Sequence, residues 1–317
     1  MNRSDRSFVS APAGVLAPPM LSAATRRRVL CSLGALPAAA VLPVAAQTRD
    51  GWPALADSPG GLQHGKWVWQ ELLTGDPERA AAFYESVFGW SISRRGAGER
   101  AYRLARRDGR PVAGVLRIAD GRDGRTPAPR WIGLMSVPDV DAAVALAAAE
   151  GGRTLVAPTT QLGRGKVALL ADPEGAPFGV IRAVDGDPAD LDPVAGEWLW
   201  RELWAADPAR MAGFYRALGH YARRRVSSSA DRDEWLLSTG EQPRAGVVGR
   251  GESVRESGWL PYLRVADLQA TLRAVTAAGG RVLLEPSPQR RAGQVAVIAD
   301  ATGAPLGIAR WPQEGAR

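Results

Sequence analysis

Cysteine is nearly absent from this chain of 317 residues; the one copy, Cys31, lies within the first 46. The rest of the chain has no thiol, which excludes a disulfide framework, a cysteine nucleophile and a zinc–thiolate site. Stability must then come from apolar cores. Histidine is almost as scarce, with two copies, His64 and His220, too few for a repeated imidazole metal site. Long apolar runs are missing as well. The best stretch, Val29 to Leu42, is too short to span a bilayer comfortably, so no stable membrane insertion is expected. No aromatic–basic groove pattern occurs, and nucleic acid is not expected as a partner.

The formal net charge is +7, but five Arg and one Asp in the first 46 residues account for +4 of it. That segment reads as an export signal. Thr25-Arg-Arg-Arg-Val-Leu30 resembles a twin-arginine motif, the modestly apolar stretch follows, and Val44-Ala45-Ala46 offers small residues for cleavage before Gln47. Cys31 precedes the apolar run, so a lipoprotein anchor is not supported. The expectation is a signal over residues 1–46 and a periplasmic or secreted mature protein.

What the chain does hold is repetition, which fixes architecture before any other signal. Trp69, Glu71, Asp76, Pro77, Phe83 and Tyr84 return 131 positions later as Trp200, Glu202, Asp207, Pro208, Phe214 and Tyr215. Each copy predicts a strand, a turn and a helix. Asp76 can cap the first-turn amides, Pro77 suits the first helical position, and Gly89 or Gly219 closes the helix in a left-handed conformation. A later block repeats with a shift of 128, carrying Trp131, Asp139, Gly151, Gly152, Asp172 and Gly175 onto Trp259, Asp267, Gly279, Gly280, Asp300 and Gly303. The plan is strand–helix–strand–strand–strand, four times over.

The expected organisation is a flexible lead-in over 47–65, a domain over 66–184, a linker over 185–196, a second domain over 197–312 and a tail over 313–317. Gln161-Leu-Gly-Arg-Gly165 precedes a strand rather than a helix and so reads as a hairpin turn, not a phosphate cradle. Asp172-Pro-Glu-Gly and Asp300-Ala-Thr-Gly are likewise tight turns, their carboxylates capping backbone amides.

These residues resemble the vicinal oxygen chelate superfamily, which holds glyoxalase I, extradiol dioxygenases and bleomycin-resistance proteins. The resemblance rests on Asp76…Phe83-Tyr84…Gly89, on Asp139-Val-Asp-Ala-Ala, on the Gly151-Gly152 turn and on Asp172-Pro-Glu-Gly-Ala-Pro-Phe, and it covers nearly all of residues 66–312. It implies an α+β fold of two glyoxalase-like domains, each a pair of βαβββ units curled into a cup, packed as an internal pseudo-dimer. It also implies where a metal would be held. The usual ligand positions are Trp69 and Trp200 on the first strands, Ile132 and Leu260 in the second units, and Gly179 and Gly307 on the last strands. None of these side chains offers an oxygen or imidazole donor. No cofactor is expected on that ground.

Strand alternation puts Trp69 and Glu71 on one face, and Trp200 and Glu202 repeat the arrangement. An aromatic wall beside a carboxylate suits a small-molecule ligand, and a carboxylate there could serve as a general base. Equally, both Glu side chains could only close the cup floor, paired to an Arg or a backbone amide. Tyr262 and Arg264 share the face of Leu260 and are candidates for the second cup, with Tyr102 and Trp235 as weaker ones; Trp131 and Trp259 fall off the cup register and read as packing. Three functions follow: an exported protein binding a small aromatic or apolar molecule in a metal-free cup, a metal-dependent enzyme of the same superfamily with relocated ligands such as Glu71, Glu202 and His64, or an interaction module whose cups are filled by their own side chains.

Overall fold

A computed structural model describes residues 52–57, 60–98, 101–121, 126–229, 232–250, 256–288 and 291–311. The expected export signal lies outside the described residues. No helix among the described residues is long and apolar enough to cross a membrane.

The first half runs β1 (Trp67–Thr74), α1 (Pro77–Phe88), β2 (Ser91–Arg95), β3 (Tyr102–Arg107), β4 (Arg110–Arg117), β5 (Arg130–Ser136), α2 (Val140–Ala149), β6 (Arg153–Gln161), β7 (Gly165–Ala171) and β8 (Pro177–Ala183). The second half repeats it as β9 (Trp198–Ala205), α3 (Pro208–Gly219), β10 (Ala222–Ser229), β11 (Arg232–Thr239), β12 (Gln242–Gly249), β13 (Gly258–Val265), α4 (Leu268–Ala277), β14 (Arg281–Leu284), β15 (Val295–Ala299) and β16 (Pro305–Arg310). Each half closes one eight-stranded sheet, ordered β2-β3-β4-β1-β5-β8-β7-β6 and β10-β11-β12-β9-β13-β16-β15-β14. Within a unit the first strand lies parallel to the last, as β1 does to β4. The two units of a half meet antiparallel at β1–β5 and β9–β13. This is the expected α+β architecture of paired βαβββ units.

The helix starts follow from the capping chemistry. Asp76 and Asp207 accept the Arg79 and Arg210 amides at 3.0 and 2.9 Å, each followed by a proline. The ends differ. Gly89 takes the left-handed position at φ 66°, but in the second copy Gly219 stays helical and His220 takes it at φ 53°. A side chain at Gly219 would run into the Tyr221 ring, so glycine is needed there for space, and the left-handed turn moves one residue on.

The helices cover the outer faces of the sheets, and those faces pack on each other. One apolar cluster joins α2 and β8 (Val140, Ala143, Phe178) to α3 and β12 (Met211, Phe214, Val247); another joins α1 (Ala80, Phe83) to α4 and β16 (Leu272, Val275, Ile308). The repeated motifs meet at this junction. The Tyr84 hydroxyl donates to Asp300 at 3.0 Å and accepts from the Trp131 indole at 3.0 Å. Reciprocally, Tyr215 donates to Asp172 at 3.0 Å and accepts from Trp259 at 2.9 Å. The other carboxylate oxygen of Asp172 takes the Glu174 and Ala176 amides, as the turn reading required. Gly280 and Gly152 leave room for Phe83 and Phe214 of the opposite half: an added Cβ would stand 2.7 and 3.3 Å from those rings.

Removing either hydroxyl strands a buried carboxylate and an indole N–H. Tyr84→Phe and Tyr215→Phe are each expected to cost about 1–3 kcal/mol, read by urea unfolding. Burial pushes the Asp172 carboxyl up to about 6 from 3.8, and Asp300 is raised for the same reason. A folded value above the unfolded one means the group's stabilisation is full below about pH 4 and lost as pH rises through about 6. Asp172→Asn should flatten that fall in thermal melts taken across this window.

Candidate functional site

The concave face of the first sheet carries a cavity of about 70 Å³, walled by Leu73, Leu116, Ile132, Leu134, Val167 and Leu169. That is room for several water-sized groups, on the order of five. Glu71 on β1 stands in this wall, only 6% exposed. Its Oε1 accepts three hydrogen bonds: from Arg164 at 2.6 Å, from the Trp69 indole at 2.9 Å and from the Tyr102 hydroxyl at 3.1 Å. Its Oε2 is buried and has no partner among the described residues. Gly114 lies opposite Glu71 on β4, and an added Cβ there would strike both Oε2 and the Tyr102 hydroxyl.

Arg164 is the residue that sequence reasoning left unnamed. It sits in the β6–β7 hairpin yet is 2% exposed, donating to Glu71, to the Tyr102 hydroxyl at 2.7 Å and to the Pro53 carbonyl at 3.1 Å. Its guanidinium lies 4.9 to 5.3 Å from the rings of Trp52, Trp69 and Tyr102. Burial works against its charge, but Tyr102 and Glu71 more than offset this and hold it above the ordinary arginine value. Burial pushes the Glu71 carboxyl up, with Arg164 pulling against it. The one sequence signal was a lone Arg framed by Gly163 and Gly165 in a turn. The segment expected to be a flexible lead-in is packed here: Leu55 is buried, the Trp52 amide bonds the Leu162 carbonyl at 2.8 Å, and Asp57 pairs with Arg106 at 2.9 Å.

The second cup differs. Glu202 accepts from Tyr262 at 2.8 Å and from the Trp204 indole at 3.3 Å, and Trp200 joins the same apolar cluster. Of the five predicted residues, Trp69, Glu71, Glu202 and Tyr262 take part in the hydrogen bonds of a cup floor, and Trp200 packs beside them. Trp204 stands where the first cup has Leu73, and Tyr262 where it has Leu134, so two rings fill space that the first cup leaves open.

Two candidates are corrected. Arg264 donates to the Pro193 and Trp311 carbonyls at 2.5 and 3.0 Å, tying down linker and C-terminal chain rather than lining a cup. Trp235 packs on the outer cluster beneath Arg223 and Arg225: along β11 Leu236 faces the cup cluster, so Trp235 and Leu237 on either side of it face outward. His64 lies against His220, ring centroids 4.2 Å apart, at the end of α3.

A divalent ion needs several oxygen or imidazole donors converging on one point. Among the described residues no group of three His, Cys, Asp or Glu could hold one. The carboxylate in the first cup already has a guanidinium at 2.6 Å, so these residues do not fit a metal centre.

With this geometry in view, the chain's class is defined. A family model for the glyoxalase-like domain matches residues 69–181 and again 202–309, and the chain belongs to that family as a tandem pair. It is 30% identical to "Putative glyoxylase CFP32" of Mycobacterium tuberculosis over 239 residues, 74% of this chain and 91% of that one. It is 31% identical to anthracycline biosynthesis protein DauV of Streptomyces sp. (strain C5) over 257 residues, 76% of this chain and 91% of that one. Its fold is similar to the Mn(II)-bound glyoxalase from Novosphingobium aromaticivorans, with a TM-score of 0.55 at 14% identity over 78% of this chain and 83% of that one. It is also similar to the 2,3-dioxygenase LapB from Pseudomonas sp. KL28, with a TM-score of 0.54 at 13% identity over 80% and 96%.

These neighbours correct the expectation of no cofactor. Metal use belongs to this family of folds, as the Mn(II)-bound glyoxalase demonstrates, and an argument from inherited ligand positions alone does not remove it.

Arg164→Met would leave Glu71 buried without its counter-charge, and the expected loss is about 3–5 kcal/mol. Glu71→Leu combined with Arg164→Met should recover most of it, which a double-mutant cycle by urea denaturation would read.

Proposed function

We propose that the first cup takes a small, mostly apolar molecule that carries one hydrogen-bond donor. The observation that carries this is the buried Glu71 Oε2, without a partner among the described residues, in a wall made mostly of Leu, Ile and Val. A buried acceptor without a donor is costly, and a ligand hydroxyl or N–H would relieve it. Gln161 Oε1, in the same wall, also lacks a partner among the described residues. Arg164 fixes the carboxylate by holding Oε1, so Oε2 is presented in one direction. Trp52 gives the site an aromatic side. The second cup, filled by Trp204 and Tyr262, serves as a scaffold. We further propose that residues 1–46 direct export, which N-terminal mapping of the mature protein would test.

The names of the curated relatives, a glyoxylase and an anthracycline biosynthesis protein, support small-molecule chemistry. A second reading, a metal-dependent lyase, isomerase or dioxygenase, draws on the Mn(II)-bound fold neighbour and needs ligands beyond the positions described above.

Phenol and toluene, matched in shape, separate donor recognition from apolar burial. Tryptophan fluorescence should show phenol binding about ten-fold or more tightly than toluene, the equivalent of roughly 1.4 kcal/mol. Glu71→Gln should erase most of that preference. Equal affinities for the two probes would sink the first reading. Binding that appears only when Mn(II) is supplied would favour the second.

A further inference from the structure

A second concavity lies away from both cups, in the groove between the end of α2 and α3. It encloses about 260 Å³ and is lined by Arg210, Arg216 and Arg223, with Phe214 and Pro173 at its apolar side and Gly213 in its floor. One carboxylate, Glu150, also faces it. None of the three guanidinium groups is in an ion pair among the described residues, and the one side-chain hydrogen bond they make is a long one, Arg223 to the Ala209 carbonyl at 3.5 Å. Arg223 also lies over the Trp235 ring at 5.3 Å, which holds its stem against the sheet.

The internal repeat supplies a control within the same molecule. The matching groove beside α1 carries Arg79, Ala82, Glu85 and Ile92 where this one carries Arg210, Gly213, Arg216 and Arg223, and Ala278 where this one carries Glu150. There Glu85 accepts the Ile92 amide at 3.1 Å, and one Arg balances one Glu. The halves share their caps, their Phe-Tyr pair and their docking turns, so the fold does not require the extra arginines. Three like charges converging on a concave surface repel one another unless an anion joins them. Arginine forks match the oxygens of a phosphate group, and the missing side chain at Gly213 leaves room for one.

We propose that this groove binds a small phosphate-bearing anion, with Arg210, Arg216 and Arg223 on the phosphate oxygens and Phe214 and Pro173 against the organic part. The recessed floor favours a free small molecule, whereas a lipid headgroup would offer the same phosphate at a bilayer surface.

The test is calorimetric titration of the full-length protein at low salt with inorganic phosphate and with phenyl phosphate. One saturable site per chain is expected, tighter for phenyl phosphate. Arg216→Glu and Arg223→Ile restore the sister copy's residues at exposed positions, and each should weaken binding at least ten-fold. Gly213→Leu should do the same by filling the floor without changing charge, and Glu150→Gln should tighten binding. Absence of a saturable site, or affinity unchanged in Gly213→Leu and Arg216→Glu, would overturn the proposal. So would co-sedimentation with phosphatidylglycerol vesicles that these variants abolish, if neither soluble phosphate binds.

Discussion

The structure depends on a crossed pair of hydrogen bonds. A tyrosine on the first helix of each half reaches a turn carboxylate in the other, Tyr84 to Asp300 and Tyr215 to Asp172. Each sheet has an outer face that two helices alone do not cover, and the other half completes the cover. The aromatic rings, the glycines that admit them and the buried carboxylates are one device. It explains why many of the repeated residues of this chain, Phe83, Tyr84, Trp131 and Asp172 among them, lie away from the cups. Phe83, Tyr84, Trp131, Asp172 and their partners recur because the junction is near-symmetric, and each must fit a copy of itself.

That distinction separates what the sequence revealed from what it hid. Spacing was enough for the order of elements: an Asp-Pro cap, a Phe-Tyr helix face and a Gly-Gly turn recur at offsets of 131 and 128, and the family resemblance those residues carry implied how the four units pair. Alternation on β1 was enough to place Trp69 and Glu71 together. The candidate Trp235 failed on parity: Leu236 takes the cup face of β11, which turns Trp235 and Leu237 outward. Arg264 failed differently, since its long stem lets the guanidinium leave the face its Cα occupies. Arg164 was hidden by distance. It is 93 residues from Glu71, in a turn, and only the closure of the sheet brings it under the cup.

The two cups show how the halves of a duplicated domain can diverge. Both keep a glutamate on the first strand with an indole and a phenol on it, yet the phenol comes from β3 in one and β13 in the other. The same floor chemistry has been assembled twice from different strands. Replacing Leu73 and Leu134 by a Trp and a Tyr turns an open wall into a packed core, which adds apolar burial to the second half. The first half keeps its vacancy and an unsatisfied carboxylate oxygen, a local cost that the surrounding Arg164 network and the shared junction sustain.

The packing of residues 52–57 would limit how far the chain ahead of them could be trimmed. Trp52 and the Pro53 carbonyl form part of the first cup's surroundings, although both precede the first strand of the domain. If Ala46 ends an export signal, only five residues separate the cut from Trp52. A processing enzyme that cut a few residues late would deliver a folded domain with an unfinished pocket.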